Sequence, residues 1–154
     1  MEHIIPFSPE LSTDFKDLNL DWLKQYFYVE PHDRDLLDNC EEAIINKGGH
    51  IFFYKENGVV TGTFALIKIT ENIYELGKMA VTQSARGKGI GQKMMDFCII
   101  FSQQAKWKKL ILYSNTKLEN SIYIYKKYGF IEVPVEVDNP YKRANIKMEK
   151  LLGE

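Results

Sequence analysis

Three glycines at alternate positions, set between a strand pattern and a helix pattern, constrain this chain more than any other feature. Glu75-Leu76-Gly77-Lys78-Met79-Ala80-Val81 reads as a strand, Thr82-Gln83-Ser84-Ala85 as a short loop, and Arg86-Gly87-Lys88-Gly89-Ile90-Gly91 as a tight turn. A helix follows, because Ile90, Met94, Phe97, Phe101 and Ala105 recur at helical spacing. The first turn of a helix has backbone N–H groups without intrahelical partners and carries the positive end of the dipole. Glycines let an anion approach those groups with no Cβ in the way. The segment therefore predicts an anion site, most simply for a pyrophosphate.

Two common nucleotide-binding patterns do not fit it. A P-loop needs Lys and then Ser or Thr directly after its last glycine, whereas Gly91 is followed by Gln92 and Lys93. A dinucleotide fold needs G-x-G-x-x-G on its first strand and an acid at the end of the next. Here the spacing is G-x-G-x-G in mid-chain, and the next strand, Leu110-Ile111-Leu112-Tyr113, ends in Ser114-Asn115.

The rest of the chain reads as alternating short elements. Glu2 to Phe7 predicts a first strand. Ser8-Pro9-Glu10-Leu11 predicts a helix start, with Phe15, Leu18, Trp22, Leu23 and Tyr26 as its apolar face. Pro31 breaks that helix. A second is expected over Asp33 to Asn46, with Leu36, Leu37, Cys40 and Ile44 on one side and Gly48-Gly49 as the stop. Ile51–Tyr54 and Val59 to Ile67 flank Asn57-Gly58, a strong hairpin signal, and Ile73 to Val81 pairs back as a third strand. Alternation along it puts Glu75, Gly77, Met79 and Val81 on one face and Lys78 on the other. After the long helix come a strand at 109–113, a helix at about 118–128, and strands near 130–137 and 144–151.

Composition narrows the function classes. The 154 residues suit one domain with its own core, 45% are hydrophobic, 27% are charged, and the formal net charge is −1. That balance calls for neither nucleic acid nor a membrane surface. There is no apolar run near the ~20 residues of a membrane span, and Met1-Glu2-His3-Ile4-Ile5-Pro6 has no basic, then apolar, leader pattern. A cytoplasmic protein is expected. Cys40 and Cys98 read as buried free thiols, and the scattered His3, His32 and His50 give no metal-ligand spacing.

Arg86-Gly87-Lys88-Gly89-Ile90-Gly91 matches the R/Q-x-x-G-x-G/A signature of the GCN5-related N-acetyltransferases. Downstream, Asn120-Ser121-Ile122-Tyr123-Ile124-Tyr125-Lys126-Lys127-Tyr128-Gly129-Phe130 resembles that family's A-x-x-L-Y-x-K-x-G-F segment, with Ser121 and Ile124 as mild departures. Two ordered motifs at the family's separation are far more specific than either alone. The resemblance covers about residues 50–150; the N-terminal third carries no comparable motif.

The resemblance implies an α/β fold in the order β-α-α-β-β-β-α-β-α-β-β, with a mixed, mostly antiparallel twisted sheet between helices. It implies acetyl-coenzyme A as co-substrate, no metal, and transfer of an acetyl group to a primary amine. Met79, Ala80 and Val81 would hold the pantetheine arm. Arg86, Gly87, Lys88, Gly89, Ile90, Gly91 and Gln92 would meet the phosphates, and Asn115 and Asn120 would hold the far side. Tyr125 would sit near the thioester sulfur as a proton donor, and Glu75 is the best single general base, with a water chain as the alternative. The acceptor would lie between Tyr28–Asp33 and Asn139–Arg143, where Tyr28, Glu30, Tyr141 and Arg143 hint at a small zwitterion. Neither cysteine lies in a cleft motif, so direct attack is expected over an acyl-enzyme. A small-molecule amine is the expected partner, and a homodimer is left open. Acetylation of protein lysines or N-termini, and coenzyme A sensing without catalysis, are the other readings.

Overall fold

Long-range strand pairing dominates the architecture, and the computed structural model describes it over residues 3–153. The elements run β1 (Ile4–Pro6), α1 (Ser12–Tyr26), α2 (Pro31–Asp38), β2 (His50–Glu56), β3 (Val59–Lys68) and β4 (Ile73–Val81). They continue as α3 (Ile90–Gln104), β5 (Lys109–Ser114), α4 (Glu119–Lys127), β6 (Ile131–Val133) and β7 (Ile146–Leu151). The expected order is the observed one. Glu2, which the sequence assigns to the first strand, lies outside the described residues. The seven strands form one sheet in the order β1-β2-β3-β4-β5-β7-β6, and only β4 and β5 run parallel.

Each face of the sheet buries its own core. On one side Phe64, Leu66, Leu76, Leu110 and Met148 pack against Met94, Met95 and Cys98 of α3, with Tyr125 and Tyr128 of α4 beside them. On the other, Phe53, Ile51 and Ala65 meet Phe15 and Leu23 of α1 and Leu36 and Leu37 of α2. The hairpin between β2 and β3 turns on Asn57 and Gly58, both at positive φ, as a two-residue turn of the favoured hand requires. Among the described residues no helix is long and apolar enough to cross a membrane.

Boundaries differ from expectation at four places. Pro9 opens a 3₁₀ turn over Pro9–Leu11, and α1 starts only at Ser12. Pro31 begins α2 rather than merely ending what precedes it: Glu30 and Asp33 form a reciprocal capping box around the proline's first turn. The helix expected to run to Asn46 stops at Asp38, because Asn39 leaves helical geometry; a π turn over Glu41–Ile45 then keeps Cys40 and Ile44 buried. The strand expected over 130–137 ends at Val133, where Pro134 removes a ladder donor.

One departure matters for function. Thr63 pairs with Ala80 and Ala65 with Gly77, so Phe64 alone opposes both Lys78 and Met79. This is a β-bulge, and Lys78 takes φ 53 in it. Beyond the bulge the alternation is inverted. Met79 and Val81 join the core beneath α3, while Lys78 comes to the same side as Glu75. The expectation that Lys78 opposes Glu75 is thereby corrected.

Candidate functional site

β4 and β5 pair only through Ile73, Tyr74 and Glu75 against Lys109, Leu110 and Ile111. Past Glu75 the strands part and open a cleft of about 880 Å³. Its walls come from the bulged end of β4, the glycine turn, the end of β5, the start of α4, the C-terminal half of α1 and the β6–β7 loop.

At one end lies the glycine turn. Gly87 (φ 82) and Gly89 (φ 79) are left-handed, a conformation that other residues adopt at a cost of about 1–2 kcal/mol. Gly89 caps α3, and no side chain caps its first turn. A Cβ built at Gly87, Gly89 or Gly91 meets nothing within 4 Å. The turn is thus an open cradle facing uncapped helix N–H groups. Ile90 is buried in the core, so it offers the cradle its backbone only. Arg86 is held by the fold: its Nε donates to Val81 O (2.9 Å), and Nη1 donates to Gln25 Oε1 (2.9 Å) and Tyr26 Oη (3.3 Å). Lys88 is exposed and does not line the cleft.

At the other end is a buried polar cluster. Glu75 is only 4% exposed, and Tyr141 Oη donates to its Oε2 at 2.9 Å. Asp33, fully buried, accepts from Lys78 Nζ and from both terminal nitrogens of Arg143, at 2.6 and 2.9 Å. Arg143 also reaches Glu30 at 3.2 Å. The Tyr141 ring has Lys78 Nζ 4.8 Å and the Arg143 guanidinium 4.9 Å from its centroid.

The electrostatics follow from burial and partners. Burial raises the Glu75 carboxyl to about 7, even though the Tyr141 hydrogen bond and the charges of Lys78 and Arg143 pull it down. Burial also acts upward on Asp33, but there Arg143 and Lys78 outweigh it and hold the carboxyl down at about 2. Two buried carboxyls are thus driven apart, one permanently charged and one poised near neutrality, a pattern typical of acid–base sites.

The β6–β7 loop is fastened from both sides. Glu30 Oε1 and Oε2 accept from the backbone N–H groups of Lys142 (2.8 Å) and Arg143 (3.1 Å). From β5's end, Asn115 Nδ2 donates to Arg143 O (2.8 Å), and Asn145 bonds Thr116 through backbone and hydroxyl. The loop is a strap that fixes Tyr141 over Glu75.

Tyr125 stands on α4. It packs on the core beneath α3, 6.0 Å from the Phe130 ring centroid, and lines the cleft. Burial raises its hydroxyl to about 12. Its neighbours differ: Tyr123 is 67% exposed, and Tyr128 donates to Asp96 (2.8 Å).

The cleft therefore gathers Glu75, Met79, Ala80, Val81, Arg86, Gly87, Gly89, Ile90, Gly91, Gln92, Asn115, Asn120, Tyr125, Tyr141 and Arg143. Two further expectations are corrected. Tyr28, in the segment between α1 and α2, is 55% exposed and does not line the cleft. Glu30 is buried and engaged by the strap, so it serves the wall rather than an acceptor. Asn115 lines the cleft, but its Nδ2 and Oδ1 hold Arg143 O and the Lys117 N–H. The sequence placed Asp33 at the end of the expected acceptor segment but missed its partners, and it missed Lys78 as a site residue. A lysine inside the apolar run Leu76–Val81 was the available signal for a bulge; the pairing of Asp33 gave none, since its partners lie 45 and 110 residues away.

The parallel strand pair splays beside a glycine turn, and the raised carboxyl of Glu75 lines the same cleft, in an α/β protein with a mixed sheet between helices. The family model described as acetyltransferase (GNAT) domain matches residues 47–132, more than half of the chain. The chain belongs to the GNAT acetyltransferase family. The fold agrees with solved structures at low identity. A GNAT-family acetyltransferase from Staphylococcus aureus Mu50 superposes with a TM-score of 0.86 at 23% identity, covering 97% of this chain and 98% of that one. The yncA protein of Salmonella typhimurium, solved with its cofactor acetyl-CoA, gives 0.77 at 21% over 98% and 94%. A spermidine N-acetyltransferase from Vibrio cholerae gives 0.75 at 16% over 97% and 94%. No curated protein sequence matches the chain.

Proposed function

We propose that this protein transfers an acetyl group from acetyl-CoA to the primary amine of a small molecule, by direct attack in a ternary complex. One observation carries the reading: a single cleft joins an open glycine cradle, a protonated phenol and a carboxyl poised near neutrality. The residues fit the cofactor. Gly87, Gly89 and Gly91 leave the space a pyrophosphate needs, and the uncapped first turn of α3 supplies N–H donors. The unpaired edge of β4 at Met79–Val81 offers backbone groups to the pantetheine amides. When bound, acetyl-CoA supplies a thioester carbonyl open to attack.

The chain's own residues would then manage protons. An acceptor that arrives as an ammonium must lose a proton before its lone pair is free, and Glu75 is the buried base for it. Tyr141 holds the carboxylate in place through its hydroxyl. Tyr125, protonated throughout the working pH range, donates toward the departing sulfur. Cys40 and Cys98 are both buried outside the cleft, which favours direct attack over an acyl-cysteine route.

The test is a screen of amines with a free-thiol readout. Amine-dependent thiol release, lost in Glu75→Gln, supports the reading. A protein that binds coenzyme A but releases no thiol with any amine or lysine peptide would be a sensor, and the proposal would fail.

A further inference from the structure

We infer that the acceptor is an amine with no carboxylate on the carbon that bears the nitrogen, because among the described residues both cations in the cluster around Glu75, Lys78 and Arg143, are already paired with carboxylates. This rests on the acetyltransferase reading and narrows it. It also replaces the zwitterion suggested by Tyr141 and Arg143 in the sequence.

The charges around Glu75 can be counted element by element. From β4 comes Lys78, bonded to Asp33 with its side chain 4% exposed. From the strap comes Arg143, bonded to both Asp33 and Glu30. From α2 and the residue before it come those two carboxylates, 0% and 4% exposed. Glu136 in the strap is paired with Lys147 of β7 at 2.9 Å and accepts from Tyr113 of β5. His32 of α2, edge-on to the Tyr141 ring, is held toward its neutral form by burial and by Lys78. Both inner cations are therefore matched one for one by α2-side carboxylates. Glu75 has only the neutral Tyr141 phenol as a direct partner, and no ion pair of the described residues includes it. With Glu75 ionised, three carboxylates face two cations, and the cluster carries one negative charge in excess.

That excess suits an ammonium, which restores neutrality and delivers its proton to Glu75 within the same neutral set. It opposes an α-carboxylate, which covalent geometry would hold near Glu75 once the nitrogen reached it. Like charges ~5 Å apart at an effective dielectric of ~20 discriminate by on the order of 10²-fold. Among the described residues two other cations line the cleft, Arg86 and Lys117; neither is paired with a carboxylate, and neither bonds to the cluster around Glu75, for both are held by neutral groups at the end of α1, Arg86 on Gln25 and Tyr26, Lys117 on Tyr26 O at 2.8 Å and over the Phe27 ring. The remaining wall there is aromatic, from Trp22, Tyr26, Phe27 and Tyr113, and suits an apolar body.

Matched acceptors test the inference: pentylamine against norleucine, phenethylamine against phenylalanine, and the methyl ester of each amino acid. Thiol release gives kcat/KM, and calorimetry on the coenzyme A complex gives binding. The amines should exceed the amino acids by about 10²-fold, and the esters, which restore neutrality but add bulk, should recover to within about tenfold of the amines. In Glu75→Gln, the amine-to-amino-acid ratio in binding should collapse toward one. Amino acids that match or beat the amines would overturn the inference while leaving the acetyltransferase reading intact. So would esters as poor as the acids, since bulk would then be the cause, or an unchanged ratio in Glu75→Gln. If acetyl-CoA binds but none of the six acceptors releases thiol or binds, the inference fails, and the reading beneath it fails with it only if the wider screen of amines and lysine peptides is silent too.

Discussion

Tyr125 is the residue whose role separates most cleanly from its packing. Tyr125→Phe keeps the ring against Phe130 and removes only the hydroxyl. Turnover should fall by about 10²-fold, the low end for general acid assistance, since a thiolate leaves tolerably well unaided. Coenzyme A affinity should hold, as calorimetry would show. Tyr123→Phe is the clean control, because that ring is mostly exposed. Tyr128→Phe is not, because its hydroxyl bonds Asp96 and Gln92 O; it should lower stability by about 1 kcal/mol in urea denaturation while sparing turnover. Full turnover in Tyr125→Phe would reduce that residue to packing. The sequence singled out Tyr125 only by its place in a motif, since three tyrosines crowd this stretch. The structure separates them by burial and partner.

Among the elements, the glycine turn and the strap make contrasting demands. Gly91 lies inside α3's first turn without a positive φ, and a Cβ there meets nothing. Gly91→Glu should therefore leave thermal stability unchanged or slightly raised, since an acid suits a helix N-terminus, yet abolish acetyl-CoA binding in calorimetry. Gly89→Glu should also abolish binding but lose about 1–2 kcal/mol as well, because Gly89 is left-handed. Tight cofactor binding by folded Gly91→Glu would contradict the cradle. In the strap, Glu30→Gln removes one acceptor and the charge beside half-buried Arg143, and should cost about 1–3 kcal/mol in denaturant. Element order was legible because each strand and helix announces itself by local periodicity, as the stretch from Gly89 to Phe101 does. The bulge was not: one extra residue at Lys78 inverts the faces of Met79 and Val81, and no alternation rule contains it. The cluster was not either, since Asp33, Lys78 and Arg143 meet only when α2, β4 and the strap are assembled.

For the whole molecule, the two shifted carboxyls set opposite pH dependences. Asp33 sits at about 2 when folded, against an ordinary value of 3.8, so its contribution is present above about 4 and is lost as pH falls toward 2. Glu75 sits at about 7, against 4.5, so the stability it contributes in protonated form is present below about 4.5 and is lost as pH rises through 7. Glu75→Gln removes the second loss. That variant should match the native protein near pH 4 and exceed it by about 2–3 kcal/mol at pH 8, a common relation between stability and a working site. Thermal melts across pH would show it, and a native protein equally stable at pH 4.5 and 8 would contradict it. The central claim is that Glu75 takes the acceptor's proton, and the pH dependence of kcat/KM with a primary amine tests it most directly. The native enzyme should gain about tenfold per unit up to pH 7 and then level off, with that limb absent and the rate lowered in Glu75→Gln. A rate that climbs without a break at 7 toward the pKa of the free amine, alike in both proteins, would show that the acceptor loses its proton to solvent and that Glu75 is not the base.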